Sequence, residues 1–205
     1  MGYRTLVVTM SLVVTGSVVA QESAPEVTAV CALCHGESAP SQHADVPTLH
    51  GLPEIVIENA LYDFRGGTRP CREPACAETG KCPDTTMCVF AEPMKHEDME
   101  VLAQWYAAQP FVPADQPYDP ARAARGEALH MEQCEICHTQ GGTDPVDEAS
   151  ILRGQHMDYL RQALEDYRAS RRTAVAAMDR KVQELTEDEI ETLVHYYASP
   201  VEGGG

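Results

Sequence analysis

Two five-residue stretches decide how this chain reads: Cys31-Ala32-Leu33-Cys34-His35 and Cys134-Glu135-Ile136-Cys137-His138. They lie 103 positions apart in a sequence of 205 residues. Working outward, the same offset pairs Leu49-His50-Gly51 with Leu152-Arg153-Gly154, and Ala60-Leu61-Tyr62-Asp63-Phe64-Arg65 with Ala163-Leu164-Glu165-Asp166-Tyr167-Arg168. The register breaks near Arg69 and Arg172. It resumes at an offset of 91, where Met87 falls on Met178 and Leu102, Trp105, Tyr106 and Ala107 fall on Leu193, Tyr196, Tyr197 and Ala198. The first half therefore carries 12 extra residues between Arg69 and Met87. Correspondence over this much of each half is the mark of a duplicated domain.

Both halves read as helical. Met99, Leu102, Ala103 and Tyr106 recur at helical spacing, as do Ile190, Leu193, Val194 and Tyr197. Thr186-Glu187-Asp188-Glu189 has the form of a capping box, and Pro200 followed by glycines stops the last helix. Ala121 to Gln133 and Met157 to Arg171 make two more helices, and no segment alternates as a strand does. The expected fold is all-α: two tandem domains, residues 21–109 and 121–200, around one cofactor each. Residues 110–120 form a linker in which prolines cannot sit inside a helix and favour an extended, stiff connection. Residues 201–205 are a tail with no assigned role.

Met1 to Arg4 carries one positive charge, Thr5 to Ala20 is uncharged and apolar, and polarity returns at Gln21-Glu22. This is the layout of a secretory signal peptide, with cleavage expected after Ala20 and an exported mature chain. The apolar run of 16 residues is short of the roughly 20 that span a bilayer. With 15 Lys+Arg against 32 Asp+Glu the formal charge is −17, which excludes a nucleic-acid partner. The charge is shared evenly, −9 for residues 21–109 and −9 for 110–205.

Two cysteines three positions apart with a histidine immediately after are the pattern of covalent c-type haem attachment. Cys31, Cys34, Cys134 and Cys137 would form thioethers to haem vinyl groups, and His35 and His138 would ligate iron from below the ring. A zinc reading fails because each Cys pair has its own His and its own repeat. A second strong axial ligand closes the iron to small molecules, and a Met thioether does this while raising the potential. Met87 and Met178 are the Met pair in register downstream of the motifs. His43, His50, His96, His130, His156 and His195 have no histidine partner in the repeat and are expected at the surface or at helix caps. His96 is the one rival ligand for the first iron. Closed coordination at both irons points to electron transfer and not to catalysis. Trp105, Tyr106, Tyr196, Tyr197, Phe64 and Tyr167 are expected to pack the cores and the cofactors.

The other four cysteines, Cys71, Cys76, Cys82 and Cys88, sit in or beside the insertion, and the second half has no counterparts. An even number in an exported domain, in a loop with Pro and Gly, reads as two disulfides. Four cysteines permit three pairings, and these stay open. Their spacing lacks the knuckle of a metal site. Because Cys88 adjoins Met87, the loop is expected to border the first haem edge.

The residues resemble a known group. Two fused class I cytochrome c-type domains with His–Met haems look like cytochrome c4 and, more closely, the dihaem cytochrome subunit of flavocytochrome c sulfide dehydrogenase. The second half carries the resemblance: Tyr118-Asp119, Gly126-Glu127-Ala128-Leu129-His130, the second Cys motif, Gly141-Gly142, Ile151-Leu152-Arg153-Gly154-Gln155, Tyr159-Leu160, and Arg171-Arg172 before Met178. The linker Gln109-Pro110-Phe111-Val112-Pro113-Ala114 is also similar. The resemblance implies a periplasmic electron-transfer subunit, not itself an enzyme, that takes electrons from an FAD-containing sulfide-oxidising flavoprotein and passes them to a soluble acceptor. A free-standing cytochrome c4-like shuttle feeding a terminal oxidase is the alternative. The Cys-rich insertion departs from the family pattern.

Overall fold

A computed structural model describes residues 24–201 of the chain. The expected signal peptide, residues 1–20, and all but the first residue of the tail lie outside the described residues. Ten helices run in order through the described residues: α1 Thr28–His35, α2 Glu54–Gly66, α3 Ala75–Glu78, α4 Met87–Ala91, α5 His96–Ala107, α6 Pro120–Gln133, α7 Thr139–Gly142, α8 Met157–Arg168, α9 Ala176–Glu184 and α10 Glu187–Ala198. A 3-10 turn at Pro145–Asp147 lies between α7 and α8, and there is no strand among the described residues. None of these helices is long and apolar enough to cross a membrane.

Local chemistry sets the ends of the longer helices. Asp119 caps α6 by accepting hydrogen bonds from the Ala121 and Arg122 amides, with Pro120 at the first helical position. The Thr186–Glu189 capping box opens α10 with both reciprocal bonds made. Gly67, at φ 70°, ends α2 in the left-handed conformation that glycine adopts without strain. The sequence carries α8 on to Arg171, but the helix ends at Arg168. Ser170 turns to φ 54°, the Arg171 amide bonds back to the Asp166 carbonyl at 2.8 Å, and Arg172 is thereby delivered to the face shared with the first repeat.

Each repeat builds its own core. In the first, Ile57 and Leu61 of α2 pack on Met99, Leu102, Ala103 and Tyr106 of α5. In the second, Leu160 of α8 packs with Ile190, Leu193, Val194, Tyr196 and Tyr197 of α10. α6 crosses α10 at Gly126, where the helices approach so closely that a β-carbon would lie 2.0 Å from the Thr192 carbonyl oxygen. The aromatics divide as expected: Tyr106, Tyr196 and Tyr197 are buried, and Trp105, Phe64 and Tyr167 pack half-buried against the two cores.

The repeats are joined by more than the linker. Gln155 and Thr48 bond reciprocally, the Thr48 amide to the Gln155 Oε1 at 2.9 Å and the Gln155 Nε2 to the Thr48 carbonyl at 2.8 Å, all of it buried. Phe111 and Pro113 of the linker wedge against Gly51 and Gly154, whose φ values are 76° and 92°. These glycines are partners in the repeat and do the same work: Gly51 donates to the Tyr106 carbonyl at 2.8 Å and Gly154 to the Tyr197 carbonyl at 2.7 Å.

Candidate functional site

α1 ends in His35 and the turn after α6 ends in His138, so each motif histidine emerges from a helix terminus with its ring turned inward. His35 Nδ1 donates to the Pro47 carbonyl at 2.8 Å, and His138 Nδ1 donates to the Ser150 carbonyl at 3.1 Å. Both acceptors lie twelve residues past their histidine. The bond fixes the tautomer and leaves Nε2 with its lone pair free, which is how a ligating histidine is held. Burial pulls the His35 imidazole down to about 4 and lowers that of His138 as well, so both rings are neutral and able to coordinate at neutral pH.

The first site opens onto a cleft of about 780 Å³, solvent at its mouth included, lined by Cys34, His35, Pro47, Phe64, Met87 and Phe90 among others. Imidazole and thioether are brought to one cleft with a motif cysteine beside them, and this donor set fits a low-spin iron porphyrin. In the second repeat Met178 packs on the same core as Cys134 and Leu152. Tyr106 lies beside Cys31 and Tyr197 beside Cys134, the same pair in each repeat, and the Cys31 thiol faces the Val27 carbonyl at 3.7 Å.

The structure sorts the eight cysteines into two sets. Cys31, Cys34, Cys134 and Cys137 are unpaired. Cys71 pairs with Cys88 and Cys76 with Cys82, with Cα–Cα separations of 5.7 and 5.5 Å. The insertion walls the first cleft with Arg72, Glu73 and Pro74. The sulfurs of Cys34, Cys76 and Cys82 lie within 4.8 Å of one another, but two of the three are bonded to each other, so the group is a disulfide against a motif cysteine and not a metal site.

Two histidines depart from the expected surface or capping positions. His130 is fully buried, with Nδ1 2.9 Å from the Tyr197 hydroxyl and Nε2 2.8 Å from Glu135. His50 is buried edge-on against Trp105 and Tyr106. The reason is the same in both repeats: the last helix presents aromatic rings to the buried histidine. His96, the rival ligand, bonds the Tyr62 hydroxyl and sits 3.3 Å from Glu100, and it does not line the cleft. His195, in the last turn of α10, accepts from the Asp119 amide at 3.0 Å.

Side chains not singled out as site residues also face the first cleft. Arg69, Tyr159, Asp166 and Arg172 line it, two of them from α8 and one from the segment after it. The sequence signals for this group are the break in repeat register at Arg69 and Arg172 and the family likeness at Tyr159-Leu160 and Arg171-Arg172.

Comparison with known proteins agrees with this architecture. Residues 121–196 match the family described as cytochrome C oxidase, cbb3-type, subunit III. Cytochrome c4 of Thiocapsa roseopersicina is 30% identical over 154 residues, covering 70% of this chain and 71% of that protein. The structure of reduced recombinant cytochrome c4 from Pseudomonas stutzeri superposes with a TM-score of 0.67 at 26% identity, over 83% of this chain and 93% of the other. A thiosulfate dehydrogenase (TsdBA) from Marichromatium purpuratum superposes with a TM-score of 0.68 at 25% identity, over 83% of this chain but 36% of that one. The duplicated all-α fold, the paired Cys-x-x-Cys-His sites and these relatives together lead to one conclusion: the chain belongs to the cytochrome c4 family of electron-transfer proteins, with two covalently bound haem c groups.

Proposed function

We propose that the chain is a periplasmic carrier with one haem per repeat. The first is joined to Cys31 and Cys34 and ligated by His35 and Met87. The second is joined to Cys134 and Cys137 and ligated by His138 and Met178. When bound, the two haems supply the one-electron couples and the relay between them. The observation that carries this reading is the matched tether of the two histidines to carbonyls twelve residues on, with Met87 in the same cleft as His35. The tether orients each imidazole, the thioether sulfur raises the potential, and Phe64, Phe90 and Pro47 exclude water from the first ring. Replacing Met87 or Met178 by Ala removes the Met-to-iron charge-transfer band of one haem and lowers that haem's potential. Unchanged spectra in both variants would sink the ligand assignment.

The donor we favour is a protein that oxidises reduced sulfur, an FAD-containing sulfide-oxidising flavoprotein first. The likeness to about a third of a thiosulfate dehydrogenase chain supports a donor of that metabolic class, and the acidic charge of −17 suits a partner with a basic docking patch. The second reading is a free-standing shuttle to a terminal oxidase, which the likeness to cytochrome c4 along most of the chain supports. Purification from the native source separates them: a stoichiometric flavoprotein establishes the first, and a lone dihaem protein reduced no faster by sulfide plus flavoprotein than without it establishes the second.

A further inference from the structure

Three sulfur atoms meet beside the first cleft. Those of Cys34, Cys76 and Cys82 lie within 4.8 Å of one another, close to van der Waals contact. Cys76 and Cys82 are bonded to each other, and Cys34 is a residue to which the first haem is joined in the reading above. A disulfide in a loop is ordinarily a staple, but this one closes a turn that is already closed. α3 ends in a Schellman motif: the Lys81 amide donates to the Cys76 carbonyl at 3.0 Å, the Gly80 amide donates to the Ala77 carbonyl at 2.9 Å, and Gly80 has φ 67°. These bonds hold the two ends together without the sulfurs, which are only 6 positions apart. The other disulfide differs, because Cys71–Cys88 spans 17 positions and ties the loop to α4.

Opening Cys76–Cys82 therefore leaves the backbone turn in place, with two thiols positioned to join again. The two sulfurs differ in access: Cys76 is buried and Cys82 is half-buried. Lys81, exposed beside Cys82, is a cation that favours the approach of a thiolate to an otherwise acidic chain. We propose that Cys76–Cys82 is a redox-active disulfide, a two-electron site for dithiols set against the attachment point of the first haem. The thiolate of a dithiol attacks the Cys82 sulfur. A mixed disulfide forms, the Cys76–Cys82 bond breaks, and Cys76 leaves as a thiolate and takes up a proton. The second thiol of the dithiol then attacks its own sulfur in the mixed disulfide, frees Cys82, and departs as an oxidised disulfide. Re-forming Cys76–Cys82 releases two protons to solvent. It also releases two electrons, one at a time, past Cys34 into the one-electron couples that the carrier supplies. This rests on the assignment of the first haem to Cys31 and Cys34.

The test uses the holoprotein under anaerobic conditions, with dithiothreitol as the probe. Thiols are counted by alkylation and peptide mass spectrometry. With the haems already reduced by ascorbate, electrons cannot leave the dithiol. Cys76 and Cys82 are then expected to be labelled at dithiothreitol concentrations that leave Cys71–Cys88 bonded. Starting from ferric protein, dithiothreitol is expected to reduce the haems about tenfold faster in the wild type than in the double variant Cys76→Ser, Cys82→Ser. Ascorbate should reduce the two proteins at the same rate. Two results overturn the proposal: no label on Cys76 and Cys82 until the fold is lost or Cys71–Cys88 opens, and equal rates with dithiothreitol in the two proteins. If the double variant does not mature, the wild type decides. Its dithiol form, freed of dithiothreitol and oxidised at a poised electrode, should lose the Cys76 and Cys82 thiols as the haems turn ferric, and thiols that persist beside ferric haems overturn the proposal. Peptide mapping keeps the two claims apart: a peptide with Cys31 and Cys34 that carries no haem defeats the haem assignment, whereas haem in place beside an inert disulfide defeats the redox site alone.

Discussion

A β-carbon on Gly126 would sit 2.0 Å from the Thr192 carbonyl oxygen and 2.8 Å from the Tyr196 side chain. Both contacts are too close for any side chain, and the first is to backbone, which cannot rotate away. Gly126→Val should therefore push α6 off α10 and lower stability by about 1–3 kcal/mol, measured as a drop in the thermal unfolding midpoint with haem still attached. An unchanged midpoint would mean the helices do not cross at this point. The proposed attachment and ligand residues stand out one by one in the sequence, because attachment and ligation demand fixed residue types at fixed spacing. Gly126 and the buried histidines do not. Gly126 was visible only as part of a family likeness, since the helix it meets lies 66 residues on, at Thr192. The burial of His130, expected at the surface or at a helix cap, is hidden for the same reason: its aromatic cover, Tyr196 and Tyr197, comes from the far end of the repeat.

At the scale of elements, the insertion is what distinguishes the two repeats. Its position followed from the change of offset between Arg69 and Met87, but three pairings of its cysteines were equally compatible with the sequence. The fold chooses Cys71–Cys88 and Cys76–Cys82. The first bond ties the loop to α4 at the residue after Met87, so it fixes the helix that carries the proposed ligand. It spans 17 positions, a length at which a cross-link stabilises by about 3 kcal/mol. The double variant Cys71→Ser, Cys88→Ser should lose that stabilisation and free α4. The expected result is loss or broadening of the Met charge-transfer band of the first haem, with that of the second intact, because the second repeat has no such loop. Equal loss from both haems would show that the bond holds the whole fold and not the ligand helix.

At the scale of the whole molecule, the seam is built from parts that no single repeat contains. The Phe111 wedge and the burial of Ile151 in the first core make it closely fitted, and the Thr48–Gln155 pair satisfies its buried polar groups. Its polar clamp is Asp166 of α8, which takes Arg72 of the insertion at 2.5 and 2.6 Å and Arg171 of its own repeat at 2.9 Å. Burial alone would raise the Asp166 carboxyl, but the two guanidiniums outweigh it and hold the group below its ordinary value. The sign follows directly. A carboxylate with a lowered folded-state pKa contributes stability above its unfolded value, near 4, and loses that contribution as pH falls through the folded value. Both arginines are partly exposed, 37% and 49% at the side chain, so solvent screening limits the contribution to about 1 kcal/mol. Asp166→Asn should therefore be less stable than wild type at neutral pH by about that amount, with the two stability curves converging as acid protonates the wild-type carboxyl. Denaturant unfolding of both holoproteins across the acid range measures this, and curves that stay parallel down to the lowest pH would show that Asp166 does not carry the clamp.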